Sequence, residues 1–323
     1  MKTLALSCLL TLSFTSTLLV ADNHEQSVKF SVQEVSPGVY MLMGVGGFTG
    51  GNIGLSIGND GVVMIDDAMP SSLDIMQDAI KSVTKEPIDF LINTHVHGDH
   101  TGNNVVMSKQ GARIVAHENL REHLKKKGIK NGDKMEKAPE AMLPVITFST
   151  SMSFHLNGQD ARLTHLPHAH TDGDAVIHFE QANVIHTGDV LFNGLFPFID
   201  VNSGGSAKGY LNAQKALLKL ADKNTKIIPG HGPLATRADL ERSVAMLEDS
   251  IKIISALIQQ GKTEEQVVTL NPLQKYHNDW NWGFITTERM TRQLFQSLSS
   301  SQQHTAHADA HTQKDHNNKG HHH

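Results

Sequence analysis

Thr94-His95-Val96-His97-Gly98-Asp99-His100-Thr101-Gly102 places four candidate metal ligands, His95, His97, Asp99 and His100, within six residues. Imidazoles and a carboxylate at this density are costly to pack unless a cation binds them, and borderline-soft divalent ions suit the donor set. Metal-assisted hydrolysis is the expected chemistry. The run follows Ile88 to Ile92, a short apolar stretch closed by Asn93 that reads as a buried strand. A His-x-His pair at a strand end aims two imidazoles at one ion once the loop opens. Gly98 is expected to allow a sharp turn that sends Asp99 and His100 the other way, toward an adjacent site.

Upstream, alternating apolar runs at Val28 to Val35, Val39 to Met43, Ile53 to Ile57 and Val62 to Ile65, separated by Gly, Pro and Asn, predict antiparallel strands. Pro70 starts a helical pattern through Leu73, Met76, Ile80 and Val83. Downstream, Asn103 to Lys109 reads as a short helix, Arg113 to Ala116 as a strand, and Glu118 to Lys127 as a charged helix stopped by Gly128. Strand patterns return at Met152 to Leu156, Arg162 to Leu166, Ala175 to Phe179 and Val184 to His186. A helix from Lys208 to Leu220, a strand from Lys226 to Ile228, and helices at Arg237 to Gln260 and Thr287 to Leu298 follow. Two meanders, each covered by helices and each meeting polar loops at one edge, predict an α/β (α+β) fold, a four-layer αββα sandwich with the site between its sheets.

The two ends differ from this middle. Lys2, the apolar run Leu4 to Val20 and Ala21 before Asp22 read as an export signal over residues 1–21, which implies a periplasmic or secreted protein with no membrane attachment after cleavage. The only cysteine, Cys8, lies in that segment, so the mature chain offers neither disulfides nor thiolate ligands. The expected domain spans residues 22–300. Seven of the 21 histidines follow Gln303, in a stretch (301–323) too poor in apolar residues to fold. A net charge of -5 leaves no basic field for nucleic acid, so the expected partner is a small-molecule substrate.

Each cluster site needs further ligands, because zinc takes three or four protein donors with one position open. Candidates at loop positions just after strands are His170 in Leu166-Pro-His-Ala-His-Thr-Asp-Gly-Asp174, Asp189 in His186-Thr-Gly-Asp-Val-Leu-Phe192, and His231 in Ile228-Pro-Gly-His-Gly-Pro233. His168 shares a side-chain direction with His170 in an extended segment and is the alternative ligand, with His165 behind it. Asp67, Asp172 and Asp174 read as solvated or capping. Trp280 and Trp282 read as core packing.

With Val63-Met-Ile-Asp66 at a strand end, these motifs in this order resemble those of the metallo-β-lactamase superfamily over most of residues 28–260. The resemblance implies an MBL-fold metallo-hydrolase. It implies a first metal on His95, His97 and His170, a second on Asp99, His100 and His231, and Asp189 between them. It also implies that Asp66 fixes the histidine loop from behind. The implied cofactors are two Zn2+, with Mn or Fe as alternatives. The expected chemistry is attack by water shared between two ions, its pKa lowered to about 7, with Asp99 orienting it and passing its proton to the leaving group.

A β-lactam is the first expected substrate, a lactone or thioester the next. The chain has no cysteine ligand, which sets it apart from familiar β-lactamase patterns, and Phe192 stands where a lactonase of the quorum-quenching type is expected to carry tyrosine. Two loops are expected to set specificity: Gly46 to Asn52, with Phe48 at its tip, and Asn193 to Asp200, with Asn193, Leu195, Phe196 and Phe198. The sequence also fits two rival functions. One is a zinc-buffering or metal-delivery protein working through the His-rich tail. The other is a single-iron dioxygenase of the persulfide type.

Overall fold

Strand residues that alternate between two apolar environments explain how this chain builds its layers. The structure is a computed structural model that describes residues 27–131 and 134–300, so the expected signal segment and His-rich tail lie outside the described residues. Strands β1 (Lys29–Ser36), β2 (Val39–Val45), β3 (Ile53–Gly58), β4 (Gly61–Ile65), β5 (Phe90–Ile92) and β6 (Arg113–His117) come first. A small hairpin of β7 (Ile129–Asn131) and β8 (Lys134–Glu136) precedes β9 (Ile146–Phe148). The first sheet has the order β1-β2-β3-β4-β5-β6-β9, antiparallel up to β4 and parallel beyond.

The second sheet comprises β10 (Ser151–Leu156), β11 (Gln159–His165), β12 (Ala175–Phe179), β13 (Val184–His186), β14 (Lys226–Ile228) and β15 (Ala235–Thr236), in that order. Its β13 and β14 are parallel neighbours. Val63, Ile65, Ile92 and Val115 of the first sheet meet Leu163, Ile177, Val184 and Ile228 of the second in one buried inner layer. Their sequence neighbours Met64 and Leu91 point the other way, onto α1 (Leu73–Lys81) through Met76, Ala79 and Ile80. On the far side, Val176, Ile185 and Ile227 pack against Ala213 and Leu217 of α5 (Ala207–Leu220). The result is the four-layer αββα sandwich predicted by the period-two pattern.

Two short helices, α2 (Gly98–Thr101) and α3 (Asn104–Lys109), and the longer α4 (Glu118–Lys127) lie between these limits; α6 (Arg237–Gln259), α7 (Glu264–Leu270), α8 (His277–Trp280) and a further helix over 287–300 end the described chain. Residues Thr236 and Thr263 start α6 and α7 with reciprocal capping boxes, which satisfy backbone donors that would otherwise be orphaned. These C-terminal helices form their own apolar cluster with Phe196, Ile199 and Tyr210. No helix among the described residues is long and apolar enough to cross a membrane.

The structure corrects several boundaries. The predicted strand Ile88 to Ile92 is three residues long, Phe90–Ile92, and the predicted Arg162 to Leu166 runs from Gln159 to His165. The turn expected at Gly98 is the one-turn helix α2, which Gly98 opens at negative φ, and a Cβ there would meet nothing within 4 Å. The turn that separates His97 from Asp99 and His100 is helical, so it needs no glycine-specific geometry.

Candidate metal centre

The parallel strand pairs β4/β5 and β13/β14 end at the same edge of the sandwich, and the site is built on the loops just beyond. Asp66 follows β4, His95 and His97 follow β5, and Asp99 and His100 sit on α2. His170 follows β11, Asp189 lies in a 3₁₀ turn (Gly188–Val190) after β13, and His231 follows β14. Donor atoms of His95, His97, His170 and Asp189 lie within 4.8 Å of one another, as do those of Asp99, His100 and His231.

Asp189 faces both groups. Its Oδ2 is 3.6 Å from His95 Nε2 and 3.4 Å from His170 Nε2, while Oδ1 is 3.1 Å from His100 Nε2 and 3.4 Å from His231 Nε2. Asp99 Oδ2 lies 3.3 Å from His231 Nε2 and 3.6 Å from His100 Nε2. Glycine is required where backbone presses on this centre: a Cβ on Gly51 would fall 2.2 Å from the His100 ring, and one on Gly230 would fall 2.0 Å from Asp189 Oδ1. The hydroxyl of Tyr210 on α5 donates to the Asp189 carbonyl at 2.8 Å and pins that turn from below.

Hydrogen bonds behind the imidazoles fix which nitrogens carry protons. His100 Nδ1 donates to Asp66 Oδ2 at 2.7 Å, and His170 Nδ1 donates to the Phe198 carbonyl at 2.7 Å. His97 Nε2 donates to Asp200 Oδ2 at 3.0 Å. The Thr94 hydroxyl gives its proton to Asp66 Oδ2 and therefore accepts from His95 Nδ1 at 3.0 Å. In the neutral rings the inward nitrogens, Nε2 of His95, His100 and His170 and Nδ1 of His97, are then bare lone pairs. Those of His97 and His170 stand 2.8 Å apart.

His95 Nε2, His100 Nε2 and Asp189 Oδ1 are buried with no hydrogen-bond partner. Acceptors converging on acceptors repel unless a cation stands among them, so the donor set fits metal ions. Asp66 holds its position at a positive φ of 60°, backbone strain of the kind that persists where surrounding bonds over-determine it.

The electrostatics divide the two groups. Burial pushes His170 down to about 4 and His95 well below the usual imidazole range, the latter helped by the neighbouring His100. Burial also opposes charge on His231 and His100, but Asp189 and Asp99 outweigh it, holding His231 up at about 9 and His100 well above its ordinary value. Burial likewise disfavours ionised Asp99, yet His100 and His231 hold its carboxyl at about 2.

Of the alternative ligands, His168 turns away at φ +53° and donates from Nδ1 to the Gly204 carbonyl, and His165 stacks on His117 with centroids 3.6 Å apart. Neither reaches the cluster. Asp67 and Asp174 are buried rather than solvated. Asp67 accepts from the Asn103 amide at the start of α3 and Asp174 from the Thr171 amide and hydroxyl, and burial lifts Asp174 to about 7. Asp172 accepts from the His123 ring.

A cavity of about 820 Å³ opens over the cluster, with His97, Gly98, Asp99, Asp189 and His231 in its lining. Phe48 lines it, stacked over His231 at 6.1 Å. Phe196 does not: it is fully buried under the C-terminal helices, whereas Phe198 of the same loop faces the cavity. Asn193 is not among the lining residues either; its amide groups bond the His231 and Pro233 carbonyls and hold that turn. Trp280 and Trp282 pack against the C-terminal apolar cluster, and Trp282 also lines the cavity, together with Phe284.

Two further residues escaped the sequence reading. Asp200 buttresses His97, and Asn52 ties the Phe48 loop to the His231 turn through the carbonyls of Pro229 and Gly232. Neither carries a local motif; both act across more than 100 residues.

An αββα sandwich with two clustered ligand groups at one sheet edge defines a class of metal-binding, hydrolase-like protein. A model of the metallo-beta-lactamase superfamily matches residues 46–231, more than half of the chain, and the protein belongs to that superfamily. Among solved structures it is similar to a metallo-beta-lactamase from Pontibacter korlensis, at 20% identity and a TM-score of 0.56, over 68% of this chain and 99% of that one. It is similar to TMB-1 at 16% identity and a TM-score of 0.54, over 69% of this chain and 98% of the other. The sec-alkylsulfatase Pisa1 from Pseudomonas sp. aligns over 83% of this chain but 50% of its own, at 17% identity and a TM-score of 0.62. At these identities the likeness is one of fold. No curated protein matches the sequence.

Proposed function

We propose that the protein is an exported dinuclear metal hydrolase that opens a cyclic amide or ester, with a β-lactam, a lactone or a thioester as the substrate classes to try. The observation that carries this reading is the shared carboxylate. Asp189 turns one oxygen to the His95/His170 side and the other to the His100/His231 side, beside the inward lone pairs of His95, His97 and His170. His95, His97 and His170 would hold one cation and Asp99, His100 and His231 the other, with Asp189 between. Bound divalent ions supply Lewis acidity and make water acidic enough to react near neutral pH.

The chain's own groups do the rest. Asp99 faces the cavity and is ionised at neutral pH, placed to orient the hydrolytic water and relay its proton. In the reaction, water oxygen adds to the acyl carbon, the carbon–nitrogen, carbon–oxygen or carbon–sulfur bond breaks, and the leaving atom takes the proton. The complete second group favours this reading over a single-iron oxygenase, which has no use for Asp99, His100 and His231 as ligands.

The test presents β-lactam, lactone and thioester substrates to the mature protein loaded with zinc, manganese or iron, with elemental analysis alongside. Two metal equivalents with turnover of one class support the proposal. One iron with oxygen uptake, or no turnover with any metal, overturns it.

A further inference from the structure

The walls of the cavity differ in kind from its floor. Above the ligand cluster, the side chains that close the space are Phe48, Met69, Phe192, Phe198, Trp282 and Phe284, and no lysine or arginine is among the described lining residues. Five of the six are aromatic, and four form a continuous face: Phe192 to Trp282 at 6.0 Å, Trp282 to Phe284 at 5.6 Å, and Phe284 to Phe198 at 5.5 Å between centroids. Phe48 is 64% exposed and Phe284 46% exposed, large apolar surface left in water at the cavity. Covering such surface is favourable, and a molecule that does so gains in proportion to the area removed from water.

Part of this wall comes from outside the family-matched segment, which ends at residue 231. Trp282 is fixed by donation from Nε1 to the Phe196 carbonyl, and Phe196 donates its amide to the Trp280 carbonyl. Gln293, on the last helix, bonds the Pro197 carbonyl and the Ile199 amide and so clamps the loop that carries Phe198. The guanidinium of Arg289 lies 4.1 Å from the Phe284 centroid and donates to that residue's carbonyl. The C-terminal segment is therefore a built wall with a held geometry.

We propose that this cavity selects substrates whose scissile acyl group carries a bulky apolar body, aromatic or medium-chain alkyl, and that residues 281–286 set the preference. The proposal rests on the hydrolase reading above and names the substrate class of the same site. Apolar mass in the aromatic cage leaves the carbonyl over the floor, where Asp99 and the ligand cluster meet it.

The experiment uses zinc-loaded protein with p-nitrophenyl alkanoates and δ-lactones of increasing alkyl length. Displacement of the neutral dye Nile red by non-hydrolysable n-alkyl amides gives a second readout, independent of turnover. Each added methylene is expected to raise kcat/KM, and to tighten dye displacement, about fourfold until the space is filled. Trp282→Ala and the partly exposed Phe284→Ser are each expected to flatten both slopes; Phe284→Ser keeps the test alive if the tryptophan variant fails to fold. Turnover with no dependence on chain length overturns the selectivity while leaving the hydrolase reading standing. Chain-length-dependent displacement without turnover supports the apolar cage and defeats the hydrolase reading. Absence of both defeats the inference outright.

Discussion

Raising the pH should load the two ligand groups unequally. Metal ions compete with protons for imidazole, so a ring already neutral binds without proton release, and a ring held protonated must give its proton up. Burial keeps His95 and His170 neutral at pH 7, with His170 at about 4, so neither needs to release a proton when a cation joins the first group. In the second, carboxylates outweigh burial and keep His231 protonated up to about 9 and His100 well above its ordinary range.

Filling the second group at neutral pH therefore expels up to two protons. Each contributes about a tenfold gain in affinity per pH unit, so from about pH 6 to about pH 8 the gain is about 100-fold for one proton and about 10⁴-fold for two. A cation already in the first group lowers both values, so two protons is the upper limit. Titration calorimetry in buffers of different ionisation enthalpy counts the protons directly, and chelator competition gives both affinities. One tight equivalent near pH 6 and two near pH 8 is the expected pattern. Two equivalents whose affinities rise in parallel, or a second binding event that releases no proton, would refute this reasoning.

Other perturbations separate the roles of individual residues. Asp99→Asn should lower kcat by about 10²- to 10⁴-fold while elemental analysis still finds most of the metal; parallel loss of both would remove its separate role in proton transfer. Asp66→Asn disturbs a histidine of each group and should weaken both metal affinities about 10- to 100-fold, whereas Asp200→Asn should weaken mainly the first, as chelator titrations would reveal. Deleting residues 304–323 should leave turnover in excess zinc intact, and a large loss of it would favour the tail as the functional element. Sequencing the N-terminus of exported protein should place it near residue 22; an intact Met1 would contradict the signal.

What was legible in the sequence follows from locality. Seven clustered donors could be named in advance because each follows a strand or sits on the adjoining turn, and all those strands end at one edge. The sandwich was legible for a related reason: Val63, Met64 and Ile65 alternate between the inner and outer layers, and period two survives in the sequence. The cavity wall was legible only in part: the loops carrying Phe48 and Phe198 were named, but not which of their side chains turn inward. Whether Phe196 or Phe198 faces the cavity depends on where the last helices dock, and that Trp282 reaches the cavity as well as the core depends on partners such as the Phe196 carbonyl, far away in the chain. Asp200 was missed for the same reason, since its contact with His97 spans 103 residues. The turn at Gly98 does separate Asp99 and His100 from His97, but through a single helical turn that needs no special glycine geometry.

A single carboxylate, Asp66, grips His100 directly and His95 through the Thr94 hydroxyl, and those two rings belong to different ligand groups. A cation held by either group would steady this shared carboxylate for the other, so a second cation would owe less ordering entropy than it would alone. Linkage makes the debt mutual: stripping either ion should loosen its neighbour by the same factor. At a pH where both groups are filled, two such cations would tend to leave as a pair when metal is withdrawn.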